Sequence, residues 1–215
     1  MKTPRFSADT IEFLEKAGRQ KNPAWLDKNR AEYEQVILEP MQHFARSIKS
    51  LLAPSAIGYH FPQRGMGRLR RPAHKVTEYG GSVCRDWISY NVTRPSESRF
   101  DKNPNLYLLI QSDDDEGDEV LVAGGLYVPS SRQVRSIRES IAQDASAFDR
   151  LFASKSFAER FPGGFSDERK SKRPPRGFDP NHPRIESLKL QGVFVWRSYK
   201  KRESTSAKFP ELVAA

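Results

Sequence analysis

Three features of the sequence predict an α+β fold. Residues 1–54 carry apolar side chains at helical spacing. Residues 55–128 break into short aromatic and β-branched runs, and residues 129–215 return to helical spacing before one last strand-like run. At 215 residues the chain suits a single domain, 1–215. The expected architecture is an N-terminal helical pair packed on a mainly antiparallel sheet, with further helices and a long C-terminal loop.

The elements follow in order. Ser7–Gly18 reads as a short helix: Asp9 with Glu12 resembles a capping box, Ile11, Phe13 and Leu14 supply the apolar side, and Gly18 suits the stop. Asn22-Pro23 opens a second helical region, a cap followed by proline at the first helical position. Tyr33, Val36, Ile37, Met41, Phe44, Ile48, Leu51 and Leu52 recur at threes and fours along it. Pro40 should kink this helix and Pro54 end it. Ala56–Pro62, Leu69–Thr77, Val83–Thr93, Leu106–Gln111 and Glu119–Val128 are strand candidates, the last two joined by a polar turn at Asp113–Asp118. Pro129-Ser130-Ser131 ends the strand and caps a helix with Val134, Ile137 and Ile141 on one face. Phe148, Leu151, Phe152 and Phe157 mark one or two short helices. Pro162–Pro180 reads as a long loop, His182–Leu190 as a short helix behind an Asn181 cap, and Val193–Tyr199 as the final strand.

Charge is segregated along the chain. The net charge is +9, yet Gly58–Lys102 holds nine basic and four acidic residues and Arg169–Arg202 eleven and two. The stretch between them is acidic. Such segregation points to an anionic partner, with nucleic acid, an acidic membrane surface and phosphorylated ligands as the classes that fit. The single cysteine, Cys84, excludes an internal disulfide, and no apolar run is long enough to cross a membrane. A cytoplasmic protein without a membrane partner is expected; composition says nothing of its oligomeric state.

Several motifs occur in a distinctive order. Phe13-Leu14 precedes Asn22, Trp25, Asn29 and Tyr33, with Pro40 beyond. GGLYVPSSRQVRSIRESI follows in the middle, and RPPRGFDPNHPRIESLKL near the end. This pattern resembles the domain of unknown function 2461 family of bacteria and fungi, over nearly the whole chain. The resemblance implies one α+β domain and brings no established activity. The central Arg-Asp-x-Arg-Phe-Ser-Lys-Asp-Lys run of that family is replaced here by GRLRRPAHKVTEYGGSVCRDW, which keeps the basic residues Arg68, Arg70, Arg71, Lys75 and Arg85.

The candidate anion-binding residues are Arg71, Arg85, Arg132, Arg173 and Arg176. Arg132, Arg135 and Arg138 recur every third position near a helix start, where cations oppose the dipole unless an anion sits beside it. Gly124-Gly125 just before permits a β-bulge or a close ligand. Prolines stiffen the loop that presents Arg173 and Arg176. His182 with Asp179, three residues apart, and Lys75 are the candidate catalytic groups. Trp87, Tyr90, Phe100 and Tyr107, interleaved with arginines, read either as base-stacking platforms or as the core side of strands. His60, His74 and His182 lack zinc spacing, and the acidic run at Asp113 fails the calcium-loop pattern, so no metal is expected. No phosphate- or dinucleotide-binding glycine loop and no nucleophile elbow is present, and no cofactor is expected. Three functions remain open: a binding protein for an anionic ligand, an enzyme on a phosphorylated or carboxylated small molecule, and a protein-interaction module.

Overall fold

The structure, a computed structural model, describes residues 4–63, 66–112, 120–144 and 146–215. The fold is α+β, as expected. Strands β1 (Trp87–Thr93), β2 (Asn105–Gln111), β3 (Val120–Leu126) and β4 (Val193–Tyr199) form an antiparallel sheet in the order β1-β2-β3-β4. The chain divides into two compact units. The first comprises Met1–Thr93, Leu106–Val122 and Ser198–Ala215; the second comprises Arg94–Asn105 and Ala123–Arg197.

The first unit holds the larger core. Helix α1 (Ala8–Gly18) buries Thr10, Phe13, Leu14 and Ala17. Its start differs from the Asp9–Glu12 expectation: Ser7 is the N-cap, and the Thr10 hydroxyl accepts the Ser7 N–H at 3.1 Å. Gly18 is needed for space, since a Cβ there would lie 2.6 Å from Cβ of Asp86. The second helical region begins with the short helices α2 (Trp25–Lys28) and α3 (Arg30–Tyr33). A π-helical turn at Glu34–Leu38 leads into α4 (Glu39–Leu52), which buries Met41, Phe44, Ala45 and Ile48. Pro40 explains the widened turn, because it has no N–H for the carbonyl of Val36. The buried Thr10 hydroxyl donates to that carbonyl at 2.9 Å, so α1 satisfies the group that Pro40 leaves open. Helices α9 (Lys201–Ser204) and α10 (Phe209–Ala214) complete this unit after β4.

Two expected strands do not form. Ala56–Pro62 and Leu69–Thr77 contribute only isolated bridges, His60 to Thr93 and Arg70 to Cys84. Pro62 and Pro72 cannot donate to a ladder, and Ala73–Lys75 and Thr77–Tyr79 turn as 3-10 segments. Phe61 and Leu69 are nonetheless buried, which accounts for the strand-like pattern. The turn expected at Asp113–Asp118 lies outside the described residues.

In the second unit, helix α5 (Ser131–Gln143) starts at a full capping box. Ser130 Oγ accepts the Gln133 N–H at 3.2 Å, and Gln133 Oε1 accepts the Ser130 N–H at 2.9 Å. Helices α6 (Ser146–Ala153) and α7 (Lys155–Arg160) bring Phe148, Phe152 and Phe157 against Phe165, with ring centroids 5.5–6.2 Å apart. The loop expected at Pro162–Pro180 is irregular throughout apart from a bridge between Lys170 and Leu190. Helix α8 is shorter than expected, Ile185–Leu188, because Asn181 is committed to a turn: its N–H donates to Asp179 Oδ1 at 2.9 Å. Gly125 in β3 has φ +128, and a Cβ there would lie 2.2 Å from the Val193 carbonyl. Backbone of β4, not a ligand, occupies the space beside it.

Candidate functional site

In the first unit Arg71 is a buried cation, its side chain 7% exposed. Its Nε donates to the Cys84 carbonyl at 3.0 Å, Nη2 lies 3.5 Å from Asp86 Oδ1, and its guanidinium sits 3.8 Å from the Tyr79 ring centroid. Burying a guanidinium is costly unless it is paired, and these contacts supply the pairing. The adjacent Arg70 donates to the Pro23 carbonyl and Asp27 at 3.1 and 3.0 Å. Arg85 bonds the Arg68 carbonyl and stacks 4.7 Å from the Trp87 ring. No carboxylate pairs with Arg85 among the described residues. Lys75 is exposed and pairs with Glu78 at 2.9 Å. Cys84 is 1% exposed, and burial pushes its thiol up from the usual range.

In the second unit Arg132 sits in the first turn of α5, and the anion beside it is the protein's own. Asp101, its side chain 11% exposed, accepts from the Arg132 guanidinium and from Ser130 Oγ, the latter at 2.7 Å. The Arg132 bond, then the Ser130 bond, hold the Asp101 carboxyl below its usual range. Arg135 pairs with Glu139 at 2.8 Å. Arg138 donates to the Leu190 carbonyl at 3.1 Å, and burial lowers its pKa. Of three arginines at helical spacing, two are therefore neutralised by carboxylates of the same unit.

The basic loop is different. Lys172, Arg173 and Arg176 are exposed, and none has a carboxylate partner among the described residues. The backbone that carries them is organised by short local bonds. Ser171 Oγ donates to the Arg173 carbonyl at 2.9 Å, and the Phe178 N–H donates to the Pro175 carbonyl at 3.3 Å. Gly177, at φ +88, turns the chain in open space. Asp179 accepts from Asn181, and His182 Nδ1 accepts the Arg184 N–H at 3.0 Å. The His182 N–H donates to the Asp179 carbonyl at 3.0 Å, but the two side chains bond backbone and not each other. Exposed aromatic residues lie in the same unit as this loop. Phe100 is 72% exposed with the Arg99 guanidinium 4.8 Å from its ring centroid, and Trp196 on β4 is 47% exposed. Of the interleaved aromatic residues, Tyr90 is buried, whereas Phe100 is not.

The structure groups these candidates by unit: Arg71, Arg85 and Lys75 in the first, and Arg132, Arg173, Arg176, Asp179 and His182 in the second. Sequence reasoning missed Asp101, which lies 31 residues before the arginine it neutralises and carries no local signal. It also missed a cleft of about 710 Å³ in the first unit, walled by α4 and floored by phenylalanines. Glu39 and His43, one helical turn apart on α4, were the available signal there. Among the described residues no helix is long and apolar enough to cross a membrane.

No curated protein and no solved structure shows significant similarity to the chain. Residues 9–215, nearly the whole chain, match the family described as conserved hypothetical protein (DUF2461). The chain belongs to the DUF2461 family.

Proposed function

We propose that this protein binds an anionic ligand through its phosphate groups, and that the ligand is a single-stranded nucleic acid. The observation that carries the reading is the cluster Lys172, Arg173 and Arg176: exposed, close in sequence, and unpaired with any carboxylate among the described residues. A cation already held by an acid gains little from a phosphate, whereas a solvated one gains the release of counterions from the polyanion. Guanidinium groups also match phosphate geometry with two parallel bonds. Phe100 and Trp196 support a single strand over a duplex, since unpaired bases stack on exposed rings. Arg85, stacked on Trp87, is proposed as a separate anion contact within the first unit. Arg71 and Arg132 belong to the proposal as residues that each hold the backbone of their own unit in place, through Asp86 and Asp101. Binding is preferred to acid–base catalysis because Asp179 and His182 each serve a local turn. A cytoplasmic location accompanies this reading.

The test is a fluorescence anisotropy titration of a labelled single-stranded oligonucleotide at low salt. The combined variant Lys172→Ala, Arg173→Ala, Arg176→Ala should weaken binding by about tenfold or more, at roughly half a kcal/mol or more per lost contact. Unchanged affinity in this variant, with a wild-type melting temperature, would refute the loop as the contact.

A further inference from the structure

The first unit holds a site of opposite character. Its cleft, about 710 Å³, falls in the size range of small-molecule sites. Phe6, Phe44 and Phe209 line it, with ring centroids 5.5–6.4 Å apart. The rings are 5%, 4% and 1% exposed, so they form a fixed floor and not a mobile rim. Two bonds hold the walls. Thr10 Oγ1 donates to the Val36 carbonyl at 2.9 Å, and the Tyr199 hydroxyl donates to the Leu212 carbonyl of α10 at 3.2 Å. The cleft is therefore formed without a ligand.

Its ionisable groups are Arg5, Asp9, Glu39 and His43. With His43 neutral they sum to one net negative charge, on a chain that carries +9 overall. Several other acids of this unit are committed: Asp27 to Arg70, Glu78 to Lys75 and Asp86 to Arg71. Asp9 and Glu39 have no ion-pair partner among the described residues, and His43 has no hydrogen-bond partner there. Unpaired carboxylates lining an apolar cleft favour a cation, which gains from their charge. No group of three His, Cys, Asp or Glu among the described residues lies close enough to hold a metal ion. An apolar floor likewise suits a cation with a carbon body.

We propose that this cleft binds a small organic cation, an ammonium group carried on an apolar body. The site is independent of the basic loop. Its test uses three probes of one shape: 2-phenylethylamine, the neutral 2-phenylethanol and the anionic 3-phenylpropionate. Each is titrated into isotopically labelled full-length protein and followed by amide chemical shifts. The amine should give saturable shifts around His43, Phe44 and Phe209, with the alcohol about tenfold weaker and the carboxylate weaker still. Asp9→Asn with Glu39→Gln should weaken the amine about tenfold and leave the alcohol unchanged. Both side chains are exposed, so the variant should stay folded, with a melting temperature lowered only slightly by loss of the first-turn charges of α1 and α4. Arg173→Ala with Arg176→Ala should leave amine binding intact, which separates this result from the fate of the nucleic-acid reading. Equal affinity for amine and alcohol, no saturable shift by about 10 mM amine, or an unaffected double carboxylate variant would overturn the proposal.

Discussion

Arg71 and Arg173 illustrate how little a residue type says without its surroundings. Both belong to basic runs, yet Arg71 is 7% exposed beneath Tyr79 and bonded to Cys84 and Asp86, while Arg173 is exposed without an acid partner among the described residues. The first is a fixture of its unit; the second is free to meet a ligand. Tyr90 offers a sharper case. Its ring packs edge-on to Phe44, but its buried hydroxyl has no hydrogen-bond partner among the described residues, and burial pushes its pKa up to about 12. An unsatisfied buried hydroxyl costs roughly 1–3 kcal/mol. Tyr90→Phe should therefore stabilise the protein by about 1 kcal/mol in urea unfolding. Destabilisation of similar size would mean that the hydroxyl has a partner. Cys84 is the other residue-scale expectation. With its thiol buried and its pKa raised, little thiolate is available at neutral pH. A native-state reaction with an aromatic disulfide reagent should be slow and should speed up on unfolding, and Cys84→Ser should leave ligand binding unchanged. Rapid, selective modification of the native protein would assign the thiol a chemical role.

At the scale of elements, α5 shows a helix start completed from outside the helix. Ser130 and Gln133 cap it, and Asp101 supplies the negative charge that its dipole and Arg132 both favour. Because the Asp101 carboxyl is lowered by these bonds, it contributes stability that is present above its ordinary value of about 3.9 and lost as pH falls through the lowered one. Melting temperatures of wild type and Asp101→Asn should thus differ most near pH 6 and converge as the pH approaches 3. A constant difference over that range would contradict the account. Much of this layer was legible in the sequence. The spacing of Met41, Phe44 and Ile48 marked α4, and Val193–Tyr199 is β4 to the residue. Two strands were misread because Phe61 and Leu69 are buried by packing while nearby prolines withhold ladder donors. The loop arginines were legible because they stand among prolines. Asp101 and the phenylalanine-floored cleft were not, since each joins residues from distant parts of the chain that meet only in the fold.

Across the whole molecule, both basic stretches hold cations that the protein's own acids neutralise. In the first stretch, Arg70, Arg71 and Lys75 are held by Asp27, Asp86 and Glu78. In the second, Lys170 and Lys189 share Glu186 and Arg184 is held by Asp149, which leaves Lys172, Arg173 and Arg176 as the exposed loop cations without acids among the described residues. The net charge of +9 would speed encounter with a polyanion, but those three side chains set the number of phosphates that the loop holds. Counterion release converts that number into an observable: log affinity falls against log salt by about 0.7 per phosphate on a single strand. The most direct measurement is the salt dependence of oligonucleotide binding by wild type and by the Lys172, Arg173, Arg176 triple alanine variant. A wild-type slope of about −2 or steeper, made shallower by about 2 in the variant, is the result this account predicts. No association at low salt, or a steep slope that the variant leaves unchanged, would contradict it.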